Sequence, residues 1–197
     1  MSISTLQQIV ISKYIFEQKV KNIKYYPLVL MLEPHFKTNL NCIVSGKNDY
    51  PDAVLNEYLS SMKCEYIVKE CDAPVVAITG GEPLLHDDMP EIVEFLIKKK
   101  KFVYVSTNAL LLPKNIYDYE PSQYLTWSIH LNGLKEDHDK LAGQDGVFDN
   151  AIHSIKLAKT KGFRVTIDCS IYNHQRLKST IEFLNYISKD LKIDGIN

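Results

Sequence analysis

Apolar residues along this chain fall into short unbroken runs, and the segments between the runs repeat their apolar positions every three to four residues. Five runs read as strands: 26–34 (YPLVLMLEP), 73–81 (APVVAITGG), 101–108 (KFVYVSTN), 124–132 (YLTWSIHLN) and 163–172 (FRVTIDCSIY). Runs of this length suit strands buried on both faces of a sheet. Helical spacing occupies 61–70, 89–99, 148–161 and 177–191. Strand followed by helix, repeated, predicts parallel βαβ units with right-handed crossovers. The last residues, KIDGIN, read as the start of a sixth strand, where a loop or helix is expected to follow.

Local signals mark some ends. In HDDMPEIVEFLIKKKK, Asp87 and Asp88 are expected to cap a helix that has Pro90 in its first turn and Lys98 to Lys101 at its end. The N-terminal stretch predicts an amphipathic helix within residues 1–24, ahead of a core domain over 25–197. Its apolar positions are Leu6, Ile9, Val10, Ile15, Phe16, Val20 and Ile23, and its charges lean basic, with Lys13, Lys19, Lys21 and Lys24 against Glu17. Such a helix fits a membrane interface or packing on the domain behind it.

Composition narrows the class. The 197 residues are 45% hydrophobic and 24% charged, which suits one domain with a proper core. A net charge of −1 gives no electrostatic case for nucleic acid. No run is long enough to span a bilayer. Cys42, Cys64, Cys71 and Cys169 have irregular spacing, so they read as reduced thiols of a cytoplasmic protein rather than a disulfide framework. Cys64, Cys71 and Cys169 are expected to be buried packing residues.

In parallel α/β folds the chemistry gathers at the C-terminal ends of the strands. Here those ends carry Glu33 and FKTNLNC, then Gly80, Gly81, Glu82 and Pro83, then Ser106 to Asn108, then Ser128 to Gly133, then Cys169 to Tyr172. The glycines let the backbone turn sharply or approach a ligand. Exposed carbonyls there, with the Glu82 carboxylate, suit an ammonium group; a plain strand-to-helix turn is the other reading. Glu33 is either a rim hydrogen-bonding residue or a strand-end charge. Thr38, Cys42 and Ser45 have the spacing of C-x3-C-x2-C with two thiols replaced.

Taken together these segments resemble the radical S-adenosylmethionine (SAM) superfamily, and within it the adenosyl-hopene transferases of hopanoid biosynthesis. The likeness runs through YPLVLMLEPHFKTNLNC, ECDAPVVAITGGEPLLHDDMPEIV, KKKFVYVSTNALLLPK, EPSQYLTWSIHLNGLKEDHDK and QDGVFDNAIHSIKLAKTKGFRV. It implies a partial (β/α) barrel of five to six parallel strands, continued by a fuller barrel and a C-terminal extension. It implies a 4Fe–4S cluster and S-adenosylmethionine as cofactors, a hopene-type lipid as substrate, and peripheral contact with the inner membrane face. By the resemblance, Cys42 is the remaining cluster ligand, Gly80 to Pro83 hold the methionine end, and Asn108, Ser128, His130 and Asn132 line the adenosine side.

The chain departs from that pattern at the thiols. Thr38 and Ser45 offer hydroxyls where thiolates suit iron, so the cluster is expected to be absent or weak. Asn132 replaces an aspartate and Ser106 a cysteine. An active transferase, a cluster-less relative and a fragment all remain open.

Overall fold

The computed structural model describes residues 3–42, 50–171 and 177–197. Its sheet has six strands: β1 (Val29–Leu32), β2 (Val75–Ile78), β3 (Phe102–Thr107), β4 (Leu125–His130), β5 (Arg164–Asp168) and β6 (Gly195–Ile196). They lie in sequence order, and every neighbouring pair is parallel. That order follows when each crossover is right-handed and adds its strand to the same growing edge. The helices are α1 (Thr5–Val20), α2 (Asp52–Leu55), α3 (Ser61–Cys71), α4 (Met89–Lys98), α5 (Leu112–Asn115), α6 (Lys135–Ala142), α7 (Val147–Thr160) and α8 (Leu177–Lys189).

The two faces of the sheet differ. Register sets Val76 beside Val103, and Ile78 beside Val105, Trp127 and Val165. These side chains are buried in one cluster with Val68 of α3, Leu96 of α4, Ile155 of α7 and Phe183 of α8. The indole Nε1 of Trp127 finds no acceptor among the described residues, but the Tyr119 ring stands at 89° to it with centroids 5.0 Å apart. The opposite face aligns Tyr104 with Thr126 and Arg164, and Ser106 with Ser128 and Thr166. Thr166 donates to Ser128 (Oγ1 to Oγ, 3.1 Å), and Ser106 donates to an Asp168 carboxylate oxygen at 3.2 Å. Helix α1 meets this polar face, where the Tyr104 hydroxyl donates to the buried Gln7 side chain at 2.8 Å.

Three expectations need correcting. The first strand is not buried on both faces: Val29 is 53% and Met31 68% exposed, because β1 is a sheet edge with one face uncovered. Of the three packing cysteines only Cys64 is buried; Cys71 and Cys169 are half-buried, since each sits where an element ends. Asp87 and Asp88 do not cap their own helix. Asp88 occupies the N-cap position of α4 and its carbonyl accepts from the Ile92 N–H at 3.0 Å, but its side chain makes no cap bond there. Its carboxylate instead accepts from the Ser61 N–H at 3.2 Å, serving the first turn of α3 beside Ser60, which accepts from the Lys63 N–H.

Because an unsatisfied helix N-terminus costs energy, Asp88→Ala should destabilise the fold by about 1 kcal/mol, while Asp87→Ala should change it by less than about 0.5 kcal/mol. Urea unfolding of the two variants checks this; equal effects would show that Asp88 does not serve α3.

Candidate functional site

The loop after β1 is held by main chain. The N–H of Gly81 donates to the carbonyl of His35 at 3.0 Å, and the N–H of Glu82 to that of Lys37 at 2.7 Å. A Cβ on Gly81 would stand 1.8 Å from the Lys37 oxygen, and one on Gly80, whose φ is +110°, 2.4 Å from the His35 oxygen. The two glycines therefore admit another stretch of backbone. Across the loop, Gly143 closes on the Asn41 carbonyl in the same way, at 2.6 Å from where its Cβ would be. Leu40 is buried against Ala142 and Val147.

Glu82 is buried and ties this turn to β3. One carboxylate oxygen accepts from the Leu84 N–H (3.1 Å) and the Thr107 hydroxyl (2.7 Å); the other accepts from the Asn108 N–H (2.9 Å). Burial pushes its carboxyl above the usual range, against the pull of those three donors. Asn108 continues the tie, donating from Nδ2 to the Asn39 side chain at 2.7 Å. Glu33, at the end of β1, accepts from the Thr79 hydroxyl at 3.2 Å, so it is a hydrogen-bonding rim residue.

Histidines that no sequence motif singles out brace the rim. His35 accepts from the Lys37 N–H at Nδ1, so its Nε2 proton goes to the Glu82 carbonyl at 3.1 Å. His86 repeats the arrangement, accepting from the Asp88 N–H and donating to the Leu59 carbonyl at 2.9 Å, with Tyr58 stacked on it. Both rings must be neutral to do this. Burial, and after it the neighbouring His86, hold His35 below its usual range. His138 on α6 accepts the Asn132 N–H at Nδ1, and its Nε2 has no partner among the described residues. Asp139 beside it accepts from the Phe148 and Gly146 N–H groups and so holds the start of α7. The acids of the His138-Asp139 segment and Gly143 after it mark helix ends, which is a sequence signal for α6 but not for His35 or His86.

A cavity of about 200 Å³ opens at this rim, below the roughly 300–1,000 Å³ usual for ligand pockets. Thr38, Cys42, Gly81, Glu82, Asn108, His130 and Asn132 line it, with Ser106 and Ser170, and Leu141, Ala142 and Val147 form an apolar wall. Ser128 is set off from it, buried and bonded to Thr166. Gly80 packs against the His35 carbonyl, and Pro83 opens a 3₁₀ turn over Pro83–Leu85. Asn132 accepts from the Ser170 N–H at 2.9 Å, joining the ends of β4 and β5.

The thiol set is sparse. Cys42 is half-buried, and burial raises its thiol above the ordinary value. The Thr38 hydroxyl is engaged by the backbone of Leu40, accepting from its N–H at 3.2 Å and donating to its carbonyl at 3.3 Å. Ser45 lies outside the described residues. Among those described, no three His, Cys, Asp or Glu side chains converge to hold a metal ion.

Comparison with known proteins gives the family and the fold. The family model described as the radical SAM superfamily matches residues 41–187. The chain belongs to the radical SAM superfamily. Among curated relatives, Fe-coproporphyrin III synthase of Methanosarcina barkeri is 28% identical over 54% of this chain and 27% of its own length. GTP 3',8-cyclase 1 of Mycobacterium tuberculosis is 30% identical over 59% of this chain and 35% of its own. Among solved structures, SuiB of Streptococcus suis bound to S-adenosylmethionine superposes with a TM-score of 0.73 at 24% identity, covering 94% of this chain and 42% of SuiB. That likeness shows the fold: a radical SAM partial barrel with six parallel strands. The chain spans less than half the length of these relatives.

Two outcomes test the rim. Gly81→Ala should destabilise the radical SAM domain by at least about 3 kcal/mol, since only backbone could give way; a melting curve like that of the unaltered chain would contradict the close contact. Burial lowers His138 from 6.5 to about 4. The unfolded chain therefore binds a proton there that the folded chain refuses, so the contribution of neutral His138 is whole above pH 6.5 and is lost as pH falls toward 4. The stability difference between the wild type and His138→Gln should shrink across that window by up to ~1.4 kcal/mol per pH unit, measured by urea unfolding. A difference independent of pH would show that His138 titrates normally.

Proposed function

We propose that this chain is a radical SAM domain that keeps an adenosyl-binding rim and has lost the means to hold an iron–sulfur cluster. One observation carries the reading. The loop over residues 35–42 is fixed by hydrogen bonds and glycine contacts that need no metal, while Cys42 is the one thiol at the cavity among the described residues. A 4Fe–4S cluster needs thiolates at several irons. A single protonated thiol and a committed Thr38 hydroxyl do not fit it. The chemistry left to the rim is binding, with no radical step.

The rim suits S-adenosylmethionine in its remaining parts. The turn at Gly80 to Pro83 would meet the methionine end. Asn108, His130 and Asn132 would meet the adenosine, with Leu141, Ala142 and Val147 as an apolar wall for the base. Ser128 would support this side from the layer below rather than touch the ligand. Adenosyl transfer to a hopene is the finer reading, and it rests on sequence resemblance. The curated relatives above are named for other reactions. The transfer is a property of a chain in which the thiols are restored.

Anaerobic reconstitution with iron and sulfide, followed by assay of both per chain, tests the proposal. The natural chain should hold almost no iron, whereas Thr38→Cys/Ser45→Cys should hold about four irons. Calorimetry should still detect S-adenosylmethionine binding to the natural chain. A filled cluster in the natural chain overturns the proposal. Loss of binding in both chains favours a nonfunctional fragment. Product mass after incubating the restored variant with S-adenosylmethionine, a reductant and a hopene tests the transfer.

A further inference from the structure

Helix α1 packs on the domain with one side and carries an apolar row on the opposite side. At about 100° per residue, Gln7, Ile11, Tyr14 and Gln18 share a side, and all four are buried or half-buried. Gln7 reaches Tyr104 of the sheet, and Tyr14 packs edge-on against Tyr26 with ring centroids 5.8 Å apart. Ile9, Phe16 and Val20 fall within about 40° of one another on the far side, and they are 59%, 67% and 65% exposed. An isoleucine, a phenylalanine and a valine in one solvent-facing row are not explained by packing on the domain.

Charge points to the occupant. Lys13 and Lys19 flank the row, and Lys21 and Lys24 follow it. Glu17, the acid in this segment, is already paired with Lys13 at 3.7 Å. Four lysines against one glutamate make residues 5–25 net positive by three in a chain whose total is −1, so the remainder is net negative by four. A second copy would set like lysines against each other across the axis. Three side chains along ~16 Å of helix also fall short of the ~800 Å² per partner of a stable dimer. No helix among the described residues is long and apolar enough to cross a membrane. An apolar row with a basic border is the pattern of a helix lying in a lipid interface.

We infer that the outer face of α1 docks on an anionic membrane surface, with Ile9, Phe16 and Val20 in the acyl boundary and Lys13 and Lys19 among the phosphates. The docking holds whether or not a cluster is bound. It orients the polar side of the sheet, which α1 covers from within, toward the bilayer.

Flotation of the full chain with vesicles of phosphatidylcholine, alone or with one third phosphatidylglycerol, tests this. The chain should float with the anionic vesicles only, and less so as salt rises. Phe16→Ser/Val20→Ser alters exposed side chains, so it should keep the wild-type melting curve while losing at least about tenfold in partition. Lys13→Glu/Lys19→Glu should lose at least about 25-fold, roughly fivefold for each lysine near the surface. No flotation with anionic vesicles, or flotation unchanged in both variants, overturns the inference. So does a concentration-dependent dimer in sedimentation that Phe16→Ser/Val20→Ser abolishes, which would make the row a contact between copies.

Discussion

The rim depends on one contact between two stretches of backbone. Gly80 and Gly81 run so close to residues 35–37 that no Cβ fits between them. That closeness lets two N–H groups of the turn reach carbonyls of the loop. The turn in turn presents the Glu82 carboxylate to Thr107, Leu84 and Asn108, and Asn108 reaches back to Asn39. The circuit closes on itself through short polar groups and main chain. Each buried polar group satisfies another, which is the condition for holding such a network in a protein interior.

None of these bonds runs through sulfur. That separation explains how the loop holds its course with Thr38 at a position where the resemblance has a thiol. The histidine braces belong to the same logic. Each of His35, His86 and His138 accepts one backbone N–H through Nδ1. A proton on that nitrogen would cancel the bond, so the burial that disfavours the charged ring at His35 and His138 is part of what fixes their loops.

Much of this fold is legible in the sequence. The apolar runs mark the strands, and the polar residues at their ends mark the rim, because backbone geometry ties side-chain direction to period. What is not legible depends on partners remote in sequence. A run as short as Val29–Leu32 looks the same whether one face is covered or two. Asp88 reads as a cap for the helix it precedes, yet its acceptor oxygen serves α3, 27 residues earlier. Ser128 and His130 share a face, but two residues of strand separate them by about 6.6 Å, enough to put one in the cavity wall and the other in the layer beneath. Helix α6 escapes the pattern because LKEDHDKLAG is mostly polar, so the periodic signal is weak. Gly80 and Gly81 read as room for a turn or a ligand, whereas a neighbouring loop fills it.

Strand order also bears on how such a chain is made. Each strand of the sheet pairs with the one synthesised just before it, so the sheet can lengthen by one edge while later residues are still inside the ribosome. No strand must be inserted between two others, and no partner need be awaited across the whole length. Helix α1 is the exception. It precedes every strand, yet its buried Gln7 bonds to Tyr104, 97 residues later. Until β3 is in place, the side of α1 that faces the sheet is uncovered along with the side that faces solvent.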